Sequence, residues 1–174
     1  MKLSENQCLS EAKQLYYHAF PKEERLPWWV LRLMTIHKDV KLTSYDDDGS
    51  FIGFTHTTAA KDILFVMFFA VNEGLRGMGY GSAILTHLKM RHPDKTILLN
   101  VEPLDADATN AQERILRMEF YKKNGFYDTG YQIAEVGGIF QVLSTKSELD
   151  IPSYLKVFRK LSLGFWRPDI TKAE

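Results

Sequence analysis

Nine consecutive residues, Ile63 to Val71 (ILFVMFFAV), carry no polar side chain. A half-exposed strand alternates apolar and polar positions, so an unbroken apolar run reads as a strand covered on both faces. It falls well short of the roughly 20 residues that a bilayer-spanning helix needs. A strand of this kind demands a sheet with helices on either side, and the next residues supply one. LRGMGYGSAIL (Leu75–Leu85) places three glycines within five residues and opens a helical pattern from Gly81 to Arg91. Thr96 to Val101 (TILLNV) is then a second buried strand. Strand, glycine turn, helix and strand make one βαβ crossover, and strands joined in this way run parallel.

The flanking chain reads as further elements of the same domain. Glu5 to Phe20 is helical in pattern and ends at Pro21, and Pro27 begins a second helix reaching about His37. Val40–Tyr45 and Phe51–Ala59 read as strands joined through DDDGS, with Gly49 placed for a hairpin turn. Asp46, Asp47 and Asp48 suit a solvated turn better than a metal site, because no other ligand cluster accompanies them. Ala111–Lys123 is a helix with capping-box spacing at Thr109/Gln112 or Asn110/Glu113, and Asn124-Gly125 suits its C-cap. Phe126–Glu135 and Ile139–Thr145 form a hairpin around Gly137-Gly138, and Ser153–Leu161 is a last short helix. The tail GFWRPDITKAE has no assignment. The expected architecture is a single α/β domain over residues 1–174, with its core at about 5–145 and a C-terminal helix and tail at 150–174. Its sheet is mixed, with helices flanking it.

Composition narrows the partners. Lys+Arg and Asp+Glu balance at 22 each, which argues against a broad nucleic-acid footprint. Cys8 is the single cysteine, so no internal disulfide forms and a reducing compartment fits. The first residues, MKLSENQCLSEAKQ, contain no apolar signal core. The expectation is a cytoplasmic protein with neither a nucleic-acid nor a membrane partner; a homodimer stays open.

A glycine-rich turn ahead of a helix N-terminus is a generic anion cradle. Gly77-Met78-Gly79-Tyr80-Gly81-Ser82 nearly fits a dinucleotide fingerprint, and Glu102 follows the next strand. Against that reading, a long αα-ββ segment precedes the loop and little chain remains after it. A P-loop fails because no Gly-Lys-Ser/Thr follows. A bare turn does not explain so many glycines, each of which costs stability where its backbone is not needed.

Two motifs give a better account. Arg76-Gly77-Met78-Gly79-Tyr80-Gly81 resembles the R/Q-x-x-G-x-G/A motif of the GNAT superfamily of N-acetyltransferases, and FYKKNGF (Phe120–Phe126) resembles that family's second signature. Both stand in the family's order on matching elements, and the resemblance runs from the first helix to about Thr145. It implies a mostly antiparallel sheet whose parallel pair splays at the cofactor site. The cofactor is then acetyl-CoA, with its pyrophosphate on backbone N–H groups of Gly77 to Ser82 and its pantetheine along Phe69, Ala70 and Val71. A backbone N–H near Phe69–Val71 would stabilise the thioester oxygen.

The resemblance also assigns roles. Tyr121 holds the family's tyrosine position and would protonate the leaving thiolate. Glu102, just past a splayed strand, or Glu24, in FPKEERLPWWVLRL, would take the acceptor's proton. Cys8 offers a less favoured acetyl-cysteine route. His56 alternates with Phe54 and Thr58 on one strand face, so it is a minor candidate for lining the acceptor cleft. Trp28 and Trp29 stand beside acidic residues and suit a cationic amine, although a core indole and a shielding indole explain them equally well.

Many family members carry asparagine and a small residue where this chain has Arg114 and Arg117. Asn110, Arg114, Arg117 and Tyr121 share one helix face. The arginines should meet an anion, which could be a CoA phosphate, a substrate carboxylate or Glu102. The resulting expectation is direct acetyl transfer to a primary amine of a small molecule or peptide, with no metal. A non-catalytic acyl-CoA-binding module and a dinucleotide-dependent oxidoreductase are the rivals.

Overall fold

The computed structural model describes residues 3–6, 8–135, 137–161 and 168–173. In chain order the elements are β1 (Leu3–Asn6), α1 (Leu9–Ala19), α2 (Trp28–Met34), β2 (Val40–Asp47), β3 (Ser50–Ala60), β4 (Ile63–Val71) and α3 (Tyr80–Arg91). There follow β5 (Thr96–Val101), α4 (Ala111–Lys123), β6 (Tyr127–Glu135), β7 (Gly138–Ser144), α5 (Ile151–Leu161) and β8 (Ile170–Lys172). The strands form one sheet in the order β1-β2-β3-β4-β5-β7-β6-β8. Only β4 and β5 run parallel; the other neighbours are antiparallel. The expected mixed sheet with one βαβ pair is therefore present.

The apolar run at β4 is explained by its two faces. Leu64 and Val66 pack with Leu85 and Leu88 of α3 and Met118 and Tyr121 of α4. Ile63 and Phe65 point the other way, into a cluster with Tyr154, Val157 and Phe158 of α5. Further along the same face, Phe68 and Ala70 meet Ala12, Leu15 and Tyr16 of α1 and Leu31 of α2. Burial of each such side chain stabilises the fold by about 1.5–3 kcal/mol.

Several boundaries differ from expectation. Residues 5 and 6 belong to β1, not to the first helix. They pair antiparallel with Tyr45 and Ser44 of β2, and Ser4 Oγ donates to Asp46 at 2.6 Å, so a sheet edge outweighs local helical pattern. The second helix stops at Met34, short of His37, and Thr35 turns its hydroxyl back onto the Arg32 carbonyl at 2.7 Å. Part of the unassigned tail forms β8 on β6; residues 162–167 lie outside the described residues. Gly49 turns the hairpin as expected, with Asp48 and Gly49 both at positive φ (49° and 82°), but Asp46 and Asp47 extend β2 rather than join a solvated turn, and Asp46 is buried.

The feature that positions the site is a parting of strands. β4 pairs with β5 only from Ile63↔Thr96 to Val66↔Leu99. At that point β4 also slips by one residue against β3, where Thr57 faces Val66 but His56 faces Phe68. Met67 is the extra residue, and such a bulge bends its strand. Beyond it, the β4 edge that faced β5 has no strand partner among the described residues.

His56 lies beside this bulge but not in an open cleft. It is fully buried, with Nε2 3.4 Å from the Leu31 carbonyl and Nδ1 without a partner among the described residues. Burial pushes its pKa down to about 4, against the smaller opposing effect of the Leu31 carbonyl. The folded value lies below the unfolded one of ~6.5. Its contribution to stability is therefore complete above pH ~6.5 and is lost as pH falls toward 4. His56→Leu should flatten the fall of Tm between pH 6.5 and 4.5. An unchanged slope would show that His56 does not drive acid unfolding.

Candidate active site

The helix that opens after the glycines is built to leave donors free. Leu75 closes a short 3-10 turn after β4, and Gly77 and Gly79 follow at φ +77° and +88°, a region that L side chains rarely adopt. Gly79 caps α3 with no side-chain hydrogen bond, and the Gly79 carbonyl receives the Ala83 N–H at 3.0 Å. The amides of Tyr80, Gly81 and Ser82 precede that first helical bond and point out of the helix start. A Cβ built at Gly77 would meet nothing within 4 Å, so the space over the loop is open. At Gly81 a Cβ would lie 3.0 Å from the Phe120 ring, so the bare residue lets α4 abut the first turn of α3. Tyr80 donates its hydroxyl to Asp47 at 2.9 Å, tying the helix start to the end of β2. Arg76 is exposed, with only a loose 4.0 Å approach to Glu73, and Met78 is exposed.

The parted strands lead from this cradle into the protein. Phe69, Ala70 and Val71 lie along β4 past the parting, paired to β3 on one edge only. Phe69 packs with Phe120, their ring centroids 6.4 Å apart. Tyr121 stands next on α4, between Phe120 and Phe126, at centroid distances of 5.2 and 5.6 Å. Burial pushes its hydroxyl up to about 12, with the Arg117 charge pulling the other way. It therefore stays protonated at neutral pH.

Past the end of β5, Glu102 is held by α4. Its two oxygens meet Arg114 at 2.7 Å and Arg117 at 2.8 Å, and the Asn110 amide donates to both, at 3.2 and 3.1 Å. Arg114 also donates to Asn110 Oδ1 and to the Pro103 carbonyl, so each of its three nitrogens has a partner within the protein. Arg117 is more exposed and makes one ion pair among the described residues. Burial pushes the Glu102 carboxyl up, but the Arg117 and Asn110 hydrogen bonds and both guanidinium charges outweigh it and hold the group below its usual range. The internal carboxylate is thus the anion both arginines meet in this structure. A charge-assisted contact of this kind contributes about 1.5–3 kcal/mol. Glu102→Ala should lower the unfolding free energy by about that amount in urea titration; an unchanged midpoint would show the three-residue cluster to be idle.

The other carboxyls have the opposite environment. Glu24 is half-buried, and its Cγ lies 2.8 Å from where a Cβ on Gly137 would stand, so the α1–α2 connection and the β6–β7 turn touch. Burial and the Glu102 charge raise the Glu24 carboxyl, against the two arginines. Across the turn, Glu135 ends β6 and accepts a hydrogen bond from the Asn100 amide. Asn100 Oδ1 in turn accepts the Tyr154 hydroxyl of α5 at 2.6 Å. Sequence reasoning missed Glu135, Asn100 and Tyr154. A signal existed at Asn100, the one amide inside TILLNV, on the face that Leu98 buries.

The remaining candidates fall out by packing. Trp28 tilts against Tyr16 at 5.7 Å and belongs to the core below α1, whereas Trp29 is 67% exposed. Cys8 sits at the start of α1, its thiol raised by desolvation and then by Glu11 and Asp46, which disfavours the nucleophilic thiolate.

A parallel pair that parts beside a glycine-capped helix, with a buried tyrosine under the gap, is the arrangement that the GNAT resemblance implies. The chain belongs to the GNAT family: the family model described as an acetyltransferase (GNAT) domain matches residues 38–128, just over half of the chain. Over 63 residues the chain is 36% identical to YjbC of Bacillus subtilis strain 168, whose name marks it a candidate acetyltransferase. That match takes in 36% of this chain and 30% of YjbC, so the chain spans under a third of this relative's length. A candidate GNAT acetyltransferase structure from Bacteroides thetaiotaomicron superposes with TM-score 0.71 at 22% identity, covering 95% of this chain and 100% of that one. Arabidopsis thaliana Naa50, solved with the bisubstrate analogue CoA-Ac-MVNAL, superposes with TM-score 0.59 at 22% identity, over 83% of this chain and 98% of that one. These structures share the fold. No helix among the described residues is long and apolar enough to cross a membrane.

Proposed function

We propose that this acetyltransferase moves an acetyl group from acetyl-CoA directly to a primary amine of a small molecule or a peptide. The observation that carries the reading is the parting of β4 from β5 after Val66↔Leu99, with the free amides of Tyr80 to Ser82 at one end and Tyr121 beneath. The residues fit the cofactor: an anion cradle backed by a helix N-terminus, an exposed Arg76, and an unpaired β4 edge that a pantetheine amide can extend. Acetyl-CoA, when bound, supplies an acetyl group activated as a thioester.

The chain's own groups then divide the work. The Gly77–Ser82 backbone holds the pyrophosphate, and the β4 edge at Phe69–Val71 orients the thioester and offers N–H groups to the oxygen as charge builds. Tyr121 donates a proton to the leaving sulfur. Desolvation raises a thiol as well as a phenol, so the buried surroundings shift donor and thiolate in the same direction. Of the two glutamates the sequence suggests as base, Glu24 lies by the acceptor's path, and its raised carboxyl contrasts with that of Glu102. Glu102 is committed to two arginines and would hold an incoming proton weakly. The acceptor enters between the α1–α2 connection and the β6–β7 turn, past Glu24 and the exposed Trp29. One cysteine and no internal disulfide suit work in the cytoplasm.

The test is CoA release across a library of polyamines, amino acids, aminoglycosides and peptide N-termini, with calorimetry against acetyl-CoA, NADH and NADPH. Acetyl-CoA binding with amine-dependent CoA release is expected. Binding without release for any amine would favour a regulatory acyl-CoA module, and binding of NADH or NADPH alone would overturn the reading.

A further inference from the structure

Resting on the reading above, we propose that Glu135 is the group that takes the proton from the acceptor ammonium, and that Asn100 and Tyr154 are positioning residues holding it for that step. Three observations place it. Asn100 is the first β5 residue past Leu99, the last residue paired to β4, so its side chain roots at the point where the parallel strands separate. It shares the face of Leu98, toward α5 and away from Tyr121. The Asn100 side chain and Tyr121 therefore approach the parting from opposite faces of the sheet. The second observation is the chain of hydrogen bonds. Tyr154 donates to Asn100 Oδ1 at 2.6 Å, which fixes the amide so that its N–H₂ must face the Glu135 carboxyl. The third is the contrast among the carboxyls. Arg114 and Arg117 keep Glu102 charged, whereas no arginine or lysine contacts Glu135 among the described residues.

The groups facing Glu135 set its titration. Burial raises the carboxyl to about 7; the Asn100 amide opposes this, and the Glu24 charge from the α1–α2 connection adds to it. Tyr154 of α5 is itself pushed far up by burial and by the Glu135 charge, so it stays a neutral donor. A carboxyl near 7 is half ionised at neutral pH, poised both to accept a proton and to release it.

The step balances as follows. Glu135 carboxylate takes one proton from the ammonium, freeing the nitrogen lone pair. The N–C bond forms and the C–S bond breaks. Tyr121 gives its proton to the sulfur and recovers the second proton of the nitrogen. Glu135 returns its proton to solvent, so one proton is released per acetyl group transferred.

The experiment is kcat/KM against pH from 5.5 to 9 for the parent, Glu135→Gln, Glu24→Gln and Tyr154→Phe, using the amine that gives the fastest CoA release. The parent should rise through an acid limb near pH 7. Glu135→Gln should lose the limb and about 10²-fold or more in rate at pH 8, with its acetyl-CoA Kd unchanged. Glu24→Gln should keep the limb but move it to lower pH, because a like charge is gone. Tyr154→Phe should move it to higher pH, because a loosened Asn100 no longer stabilises the carboxylate. Should Glu135→Gln fail to fold, the opposite shifts of the other two variants decide. A limb that persists in Glu135→Gln, or that neither Glu24→Gln nor Tyr154→Phe moves, overturns the assignment. Absence of CoA release by the parent with every amine would instead overturn the acetyltransferase reading itself.

Discussion

Tyr121→Phe should lower kcat by about 10²–10⁴-fold while leaving acetyl-CoA affinity within about twofold, the usual range for loss of a general acid. The separation follows from how the residue is packed. Its ring is fixed between Phe120 and Phe126 and contributes to the cluster under β4 and β5, and phenylalanine preserves all of that. The hydroxyl has no hydrogen-bond partner among the described residues, so its removal orphans no other buried group. Stability should therefore hold, and the loss should be confined to the step in which sulfur gains a proton. Single-turnover CoA release, paired with calorimetric Kd values, reads the two quantities apart. A kcat equal to the parent's in a chemistry-limited assay would remove Tyr121 from the mechanism. Loss of rate and affinity together would point to a packing role.

Gly79→Val should raise the acetyl-CoA Kd at least tenfold, about 1.4 kcal/mol or more. Gly79 sits at φ +88° immediately before the free amides of α3. A β-branched residue there either bears strain of about 1–2 kcal/mol or rotates the turn toward negative φ. Rotation re-aims the amides, and the Cβ stands between them and any phosphate. Gly74→Ala is the control, because a Cβ there meets nothing within 4 Å and its backbone needs no positive φ. Circular dichroism should show both variants folded. A folded Gly79→Val that binds acetyl-CoA as tightly as the parent would mean that the phosphates lie elsewhere.

What the sequence disclosed and what it hid divide along physical lines. The run ILFVMFFAV told of two covered faces because burial on both sides leaves a local mark: Ile63 to Val66 alternate between the α5 and α3/α4 cores, and Phe68 and Ala70 join that of α1 and α2. The glycines told of a strained turn because only their backbone tolerates it. β1 stayed hidden because an edge strand draws its stability from a partner some 40 residues away, not from its own pattern. The slip at Met67 was invisible for the same reason, since register belongs to a pair of strands. Arg114 and Arg117 could be placed on Tyr121's helix face by spacing alone, but their anion could not be chosen among three. Glu102 is chosen only once Pro103 turns the chain back onto α4. His56 alternated correctly with Phe54, yet alternation states which residues share a face and not whether that face is open. Glu135 looked like any carboxylate at a hairpin; its environment comes from β5, α5 and the α1–α2 connection, each remote in sequence.

The two margins of the sheet bear on how this protein behaves among its own copies. β1 and β8 lie at the ends of the strand order, and they are only four and three residues long. Behind them stand β2 with eight residues and β6 with nine, strands long enough to template a neighbour. Each short strand therefore acts as a stop on lateral growth, covering part of a longer edge while offering little of its own. A tag that drags β1 from its place, or a trimmed variant lacking residues 168–173, would uncover such an edge while the elements of the candidate site, β4, β5, α3 and α4, stay in place. The harm would show as filaments or precipitate in a preparation whose molecules are still folded.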